Sequence, residues 1–280
     1  MPVETPVKPV SPALIPVDPT NPVAPWMGGK RNLAKRITAL IDATPHGTYV
    51  EPFIGMGGIF LRRRMRARCE VINDLARDVA NLFRILQRHY PQFLDTVRFQ
   101  LTTRADFYRL VDTDPTTLTD LERAARFLYL QRTAFGGKVS GRNFGVAKER
   151  PGRFNLSTLE PMLEDLHARL SGVVIECLDW SEVIRRYDGP HALFYLDPPY
   201  HGCENDYGKG MFDRSQFRAM ATQLAGIEGR FIMSINDVPD IREDFAAFHL
   251  TPVKTTYTIA KKTDARGERG ELLISNFGIG

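Results

Sequence analysis

Sequence patterns typical of β-strands alternate with patterns typical of helices along most of this chain, and this alternation limits the folds open to it. Strands are predicted at residues 48–50 and 70–72, and each is followed by a predicted helix, at 59–68 and 75–89. The alternation resumes after residue 172 and continues to the end of the chain. Such a pattern favours an α/β fold with a parallel sheet, in which ligands bind at the carboxyl ends of the strands.

Residues 91–170 interrupt this alternation. Helical patterns in the region lead into a glycine-rich and basic segment at 134–155. We therefore predict a mainly helical insertion at 91–170 within a larger domain formed by residues 26–90 and 171–280.

The first 25 residues contain eight of the 19 prolines. Proline fixes the backbone dihedral φ and lacks the amide hydrogen, so this density is incompatible with a helix interior. We predict an extended, disordered tail at 1–25, and the alternative is an arm that packs on the body of the protein.

The composition excludes several classes of protein. The three cysteines are far apart and the six histidines show no metal-ligand spacing, so we expect neither a disulfide scaffold nor a metal site. The sequence has no apolar run of about 18 residues and no targeting segment, which predicts a cytoplasmic protein without membrane spans. The 37 Lys and Arg against 33 Asp and Glu give a net charge of +4, which permits a polyanionic partner.

A glycine-rich turn, Glu51-Pro52-Phe53-Ile54-Gly55-Met56-Gly57-Gly58, lies between a predicted strand and a predicted helix. Glycines let the chain turn sharply and let a ligand approach the backbone closely. The next strand ends at Asn73-Asp74, where an acidic residue can accept hydrogen bonds from ribose hydroxyls. The two features together indicate a nucleoside ligand, while the alternative is a structural turn with a solvated aspartate. Because the spacing matches neither G-x-G-x-x-G nor a P-loop, NAD and ATP are less favoured.

A second motif, Asp197-Pro198-Pro199-Tyr200, follows directly after the apolar strand predicted at 192–196. Two prolines give a rigid turn, since proline fixes φ and cannot continue the strand ladder. The turn places a carboxylate, a proline carbonyl and an aromatic ring at the edge of the sheet. A strand-ending turn with a solvated aspartate is the alternative.

The order of these motifs resembles that of the DNA adenine-N6 methyltransferases of the DNA adenine methylase type. The resemblance spans residues 25–278 and includes four further matches: Trp26-Met27-Gly28-Gly29-Lys30 to W-x-G-G-K, Asn73-Asp74 to N-D, Ser234-Ile235-Asn236-Asp237 to S-x-N-D and Glu271-Leu272-Leu273-Ile274-Ser275-Asn276 to E-x-L-I-S-N.

The resemblance implies a Rossmann-like S-adenosylmethionine-dependent methyltransferase fold in which the insertion recognises the target. It further implies double-stranded DNA as substrate, S-adenosylmethionine as methyl donor and action as a monomer. The residues it assigns to the cofactor are Trp26, Lys30, Phe53, Gly55, Gly57, Asp74 and Asp197. Asp179 is a further candidate for the cofactor, although capping of the following helix is an equally good use of this side chain.

The resemblance assigns the chemistry to Asp197, Pro198, Pro199 and Tyr200. The Asp197 carboxylate and the Pro198 carbonyl accept the two N–H bonds of the adenine amine, which points its lone pair at the sulfonium methyl group. Tyr200 stacks on the base after it has left the duplex. Aspartate at the first position favours adenine, and the alternatives are a cytosine-N4 methyltransferase and a non-catalytic DNA-binding protein.

Basic residues are concentrated in the segment 123–153, which we expect to follow DNA phosphates. The candidate DNA-binding residues are Arg132, Lys138, Arg142 and Lys148. We expect the arginine run at 62–68 to be a solvated helix face, and a third patch at 261–269 could flank the DNA. Pro25 stands where members that recognise GATC carry a lysine, so we expect a different or relaxed target sequence.

Overall fold

The computed structural model describes residues 13–145, 149, 151–202, 212–256 and 268–279 of the chain. Its strands are β1 Ile15–Pro16, β2 Thr48–Glu51, β3 Met65–Arg66, β4 Cys69–Asn73, β5 Val174–Glu176, β6 Ala192–Leu196, β7 Arg230–Asn236, β8 His249–Thr256 and β9 Glu268–Ser275. Its α-helices are α1 Ala34–Ala43, α2 Arg77–Arg88, α3 Tyr90–Val97, α4 Arg104–Asp112, α5 Asp120–Thr133, α6 Leu156–Arg169, α7 Trp180–Tyr187, α8 Ser215–Leu224 and α9 Pro239–Asp244. None of these helices combines the length and the apolar character needed to cross a bilayer.

Seven strands form one sheet in the order β5-β4-β2-β6-β7-β9-β8. The first five are parallel, and β9 runs antiparallel to both β7 and β8. The chain passes from β2 outward to β4 and β5 and later returns to β6 on the other side of β2. This reversal creates a crevice at the carboxyl ends of β2 and β6, which is where open α/β sheets bind ligands. The predicted Rossmann-like α/β fold is confirmed.

The central strand β6 explains why the sheet has helices on both faces. All five of its residues are buried, as expected for a parallel strand that is covered on both sides. Leu193 and Tyr195 join one apolar cluster, and Phe194 and Leu196 join the other. The two clusters hold the sheet edge, and therefore the loops after the strands, in a fixed position.

The insertion contains the helices α3 to α6, so its predicted helical character is confirmed. It packs against α2 of the sheet domain rather than standing apart. The Asn81 amide donates to the carbonyl of Asp120 at 2.8 Å, and Arg123 forms an ion pair with Asp78. One apolar cluster includes residues of both parts, such as Leu193 and Phe127.

The expectation of a disordered tail is wrong for residues 13–25. Strand β1 pairs with β3, and the side chains of Val23 and Ala24 are buried. The residues between the prolines supply the amide hydrogens that prolines lack, since the Val17 and Thr20 amides donate to the carbonyls of Arg64 and Leu61. The arm therefore packs on the body of the protein, and residues 1–12 lie outside the described part of the chain.

The expectation of a helix at 59–68 is also wrong, and the expectation of a solvated face is met by the exposed Arg64 and Arg68 but not by Arg63. A short 3-10 helix at Phe60–Arg62 is followed by β3, and the guanidinium of Arg63 is fully buried. The Glu70 carboxylate accepts hydrogen bonds from Arg63 at 2.9 Å and from Arg169 at 2.6 and 3.0 Å. Buried charges must be paired, and this pairing rather than solvation explains the arginine at position 63.

Removal of the shared carboxylate tests the importance of this network. We expect Glu70→Ala to lower the free energy of unfolding by about 3–5 kcal/mol, because two buried guanidinium groups lose their partner. Urea denaturation measures the loss. The control is Glu182→Ala, which breaks partly exposed ion pairs with Arg185 and Arg186 and should cost below about 1 kcal/mol. Equal losses for the two variants would contradict the structural role of Glu70.

Candidate active site

The predicted site residues meet at the carboxyl edge of the sheet, where β4, β2, β6 and β7 lie side by side. Asp74 follows β4, the glycine turn follows β2 and Asp197 follows β6. Asn236 ends β7. The two motifs that the sequence separates by about half its length thus lie on either side of the crevice between β2 and β6.

The side chain of Lys30 is the centre of this edge. It is 2% exposed, and its ammonium lies 2.7 Å from Asp197 Oδ1 and 3.1 Å from Glu271 Oε1. It also donates to the Tyr200 hydroxyl at 2.9 Å, and this hydroxyl donates to Glu271 at 2.5 Å. The ammonium lies 4.2 Å from the centre of the Tyr200 ring. Lys30, Asp197, Tyr200 and Glu271 therefore form one polar cluster.

The cluster has one more negative charge than positive charge when both carboxylates are ionised. Burial raises the pKa of Asp197 to about 6, although the ammonium of Lys30 acts in the opposite direction and Glu271 adds to the rise. Burial also raises the pKa of the nearby Glu51 to about 8, so Glu51 holds a proton at neutral pH. Asp197 is thus ionised at neutral pH, with a protonated form within reach under mildly acidic conditions.

Strand β7 holds the loop that carries Asp197 to Tyr200. The Ser234 hydroxyl donates to Asp197 Oδ1 at 3.3 Å. The Asn236 side chain accepts from the His201 amide at 2.9 Å and donates to the His201 carbonyl at 3.1 Å. Ser234 and Asn236 of the Ser234-Ile235-Asn236-Asp237 motif therefore fix both ends of the loop by hydrogen bonds. Pro198 is buried and Pro199 half-buried, so the loop is rigid at its centre.

The glycine turn is closed by Asp74 and by Trp26. The Asp74 carboxylate accepts from the Gly55 amide and from the Ala76 amide, both at 2.9 Å. Burial raises the pKa of Asp74 to about 6 against the effect of these two donors. Gly55 has φ of +49°, and a Cβ at this position would lie 2.5 Å from Nε1 of Trp26. Only glycine fits there, because both the dihedral and the indole exclude a side chain.

The other predicted cofactor residues differ in their surroundings. Phe53 is partly buried and meets Phe212 edge to face, with ring centres 6.1 Å apart. Gly57 has φ of +75°, and a Cβ there would lie 2.9 Å from Leu61 Cγ. Close packing of the Leu61 side chain therefore explains the glycine at this position. Asp179 is exposed and caps α7 by accepting from the Ser181 amide at 2.9 Å. The capping alternative is confirmed for Asp179, and its contact with a cofactor stays a prediction.

The basic segment 123–153 is largely engaged within the protein. Arg132 donates to the carbonyls of Arg153 and Val23. Arg142 donates to the Lys138 carbonyl at 3.2 Å and to Gln131 Oε1 at 3.4 Å, and burial lowers its pKa to about 10. These contacts count against the expectation that both guanidinium groups follow phosphates. Lys138 is partly exposed, whereas Lys148 and most of the patch at 261–269 lie outside the described residues.

Comparison with known proteins identifies the family. A sequence model of the D12 class N6 adenine-specific DNA methyltransferases matches residues 26–259, which is most of the chain. This chain belongs to that family. It is an adenine-specific DNA methyltransferase that uses S-adenosylmethionine as methyl donor.

Individual relatives cover nearly the whole chain. A Type II methyltransferase of Paramecium bursaria Chlorella virus NC1A is 23% identical over 262 residues, which are 92% of this chain and 100% of the relative. A Type II methyltransferase of Lactococcus lactis subsp. cremoris is 27% identical over 279 residues, 92% of this chain and 96% of the relative. The DNA adenine methylase of Serratia marcescens is 25% identical over 263 residues, 89% of this chain and 95% of the relative.

The residues at the sheet edge fit S-adenosylmethionine chemically. The carboxylate of Asp74 is an acceptor suited to hydroxyl donors, and it lies beside a backbone turn that only glycine can form at Gly55. The excess negative charge of the Lys30 cluster complements a positively charged sulfonium group.

No sequence pattern assigned a role to Glu271, Ser234 or Asn236, although all three lie in matched motifs. The Glu271 side chain is 1% exposed. A charged residue directly before the apolar strand residues Leu272 to Ile274 is the sequence signal that could have indicated a buried ion pair. The antiparallel pairing places Glu271 directly opposite Asn236, and no sequence pattern predicts that register.

The Glu271 charge gives a prediction for the pH dependence of the reaction. We expect Asp197 to accept an N–H bond of the adenine amine most strongly in its ionised form, so the rate should fall as the pH drops through the pKa of Asp197. Glu271→Gln removes a negative charge that raises this pKa, and we expect the acidic limb of the rate to move to lower pH. Single-turnover rates at saturating cofactor between about pH 5 and 8 measure the shift. An unchanged limb, or one displaced to higher pH, would contradict the arrangement; the exposed Glu243→Gln is the control.

Proposed function

We propose that the chain methylates the N6 amine of an adenine that has left the DNA duplex, with Asp197 and the Pro198 carbonyl as the two acceptors that orient the amine. One observation carries this assignment. Lys30 and Ser234 both contact Oδ1 of Asp197, so Oδ2 is the oxygen that we assign to the amine. The carboxylate is thereby fixed before the substrate enters, which is the requirement for efficient orientation.

The need for two acceptors follows from the chemistry of adenine. The N6 lone pair is delocalised into the ring, which makes the amine a poor nucleophile. Acceptance of both N–H bonds localises the lone pair and directs it out of the ring plane. S-adenosylmethionine supplies, when bound, an electrophilic methyl group on a positively charged sulfur. Asp197 Oδ2 then receives the surplus proton of the amine, and a pKa of about 6 suits its release to water at neutral pH.

Tyr200 is proposed as the platform for the flipped base. Its hydroxyl is held by Lys30 and Glu271, so the ring has a fixed orientation. The Lys30 ammonium lies over the ring, and the base would stack on the face opposite to it. Extrusion of a base costs a few kcal/mol, and stacking on a preoriented ring offsets part of this cost.

For the methyl donor we propose contacts at Trp26, Lys30, Phe53, Gly55, Gly57, Asp74 and Asp197, and at the exposed Asp179 after β5. Support comes from the adjacency of Trp26, Gly55 and Asp74 across the glycine turn. For DNA we propose contacts by Lys138, by Lys148 and by the half-exposed ring of Phe135. Because Pro25 has no polar side chain, we propose a target sequence other than GATC or a relaxed one.

We propose that the chain acts as a monomer in the cytoplasm and that it is encoded by a bacterium or a phage. The ground for a monomer is that one extruded base needs one site. The bacterial and viral origin of the relatives supports this location.

The first test of the site is Asp197→Ala. We expect methyl transfer from tritiated S-adenosylmethionine to plasmid DNA to fall about 10²- to 10⁴-fold. DNA binding at low salt should persist, because phosphate contacts dominate it, and Lys30 keeps Glu271 as a buried partner. The control Asp244→Ala removes a carboxylate that pairs with Arg218 on the surface of α8 and α9. Retained turnover in Asp197→Ala would refute the mechanism.

The second test is Asp74→Ala. We expect calorimetry to show binding of S-adenosylhomocysteine weakened about 10- to 100-fold, which corresponds to the loss of a hydrogen bond to a charged group. Circular dichroism checks that the variant is folded. An affinity equal to that of the unmodified chain would remove Asp74 from the cofactor site.

A further inference from the structure

The side chain of Gln131, near the end of α5, makes contacts with two functional segments at once. It is fully buried. Its amide nitrogen donates to the Pro25 carbonyl at 2.8 Å and to the Gly137 carbonyl at 2.7 Å. Its amide oxygen accepts from Arg142 at 3.4 Å. Each hydrogen-bonding group of this single side chain is therefore used.

One of these partners belongs to the segment proposed to contact the cofactor. Pro25 directly precedes Trp26, and the Trp26 indole lies so close to Gly55 that a Cβ there would come within 2.5 Å of it. The Pro25 carbonyl is therefore one residue away from a side chain that lies against the Gly55 turn.

The other partners belong to a closed loop in the basic segment. An antiparallel bridge joins Ala134 to Phe144, and the Phe135 amide donates to the Asn143 carbonyl at 2.8 Å. Gly137 and Arg142 lie inside this loop. The loop also carries Phe135 and Lys138, which we propose to contact DNA.

The loop and the arm are in direct backbone contact as well. Gly137 has φ of +68°, and a Cβ there would lie 3.0 Å from the carbonyl carbon and oxygen of Pro25. The neighbouring Gly136 has nearly the same dihedral, with φ of +70°, but a Cβ there would meet no atom of the described residues within 4 Å. Gly137 thus lies directly against the segment that leads to Trp26.

We propose that Gln131 is a positioning residue that couples the cofactor segment at Pro25–Trp26 to the recognition loop at 134–144, so that cofactor binding and DNA binding strengthen each other. The inference rests on the proposed contacts of Trp26 with the cofactor and of the loop with DNA. Coupling between two sites is reciprocal. Each ligand fixes one side of the Gln131 amide, and the second ligand then meets a segment that is already held.

The test measures two affinities of the full chain. Fluorescence anisotropy gives the affinity for a labelled duplex that the unmodified chain methylates, with and without saturating S-adenosylhomocysteine. Calorimetry gives the affinity for S-adenosylhomocysteine with and without that duplex. We expect each ligand to raise the affinity of the other about fivefold or more, by the same factor in both experiments.

Gln131→Met keeps the volume of the side chain and removes its hydrogen bonds. We expect the coupling factor to fall to about one, while the affinity for S-adenosylhomocysteine alone changes little. The matched control is Gln87→Met. The Gln87 amide likewise donates to two backbone carbonyls, those of Leu170 and Val173, both at 2.8 Å, but it joins α2 to the residues after α6 and touches neither the cofactor segment nor the loop. We expect this control to retain the coupling even if its stability falls.

A second pair of variants keeps the test decisive if Gln131→Met does not fold. Gly137→Ala and Gly136→Ala carry a similar dihedral strain, but only the first pushes the loop away from Pro25. We expect Gly137→Ala to lose the coupling and Gly136→Ala to keep it.

Coupling retained in both Gln131→Met and Gly137→Ala would overturn the inference, as would the absence of coupling in the unmodified chain. These outcomes leave the proposed function standing, because the duplex is chosen for being methylated. Failure to methylate any duplex would instead refute the proposed function.

Discussion

The arrangement of the active site depends on the burial of one ammonium group. Lys30 is almost completely removed from solvent, and a buried charge of this kind is tolerated only when opposite charges and hydrogen-bond acceptors surround it. Asp197, Glu271 and the Tyr200 hydroxyl meet this requirement. Asp197 and Tyr200 come from the loop after β6, and Glu271 comes from β9. The need to pair the Lys30 cation therefore brings these two parts of the chain together with the segment before α1.

The sheet explains how these parts reach Lys30. Parallel strands end at one edge, which places Asp197 beside the glycine turn, and the antiparallel direction of β9 brings its beginning to the same edge. Glu271 is therefore opposite Asn236, the residue that clamps the loop at His201. These contacts stabilise the buried cluster, and they also orient Asp197 and leave the charge of the cluster incompletely neutralised.

The sequence predicted the features that depend on local patterns. The buried strand β6 is a continuous apolar run, the helices α2 and α5 follow helical periodicity, and Asp197 follows β6 as expected. The features that depend on long-range pairing could not be predicted in this way. No local pattern distinguishes the buried Arg63, which pairs with Glu70 beside Arg169, from the exposed arginines of the same run. The proline-rich arm looks disordered until β3 pairs with it. Likewise, nothing local distinguishes Arg132 and Arg142, which bond to carbonyl and amide oxygens of the protein, from arginines that contact phosphate.

We propose above all that the Lys30 cluster directs methyl transfer to the adenine amine. The most direct test is to treat DNA with S-adenosylmethionine and either the unmodified chain or Lys30→Met. Mass spectrometry of the nucleosides then identifies and quantifies the methylated base. We expect N6-methyldeoxyadenosine as the modified base from the unmodified chain. Its yield should be lower by about 10²-fold or more with Lys30→Met, because Asp197 loses the cation that fixes it. A product methylated on cytosine, or undiminished adenine methylation by Lys30→Met, would contradict it.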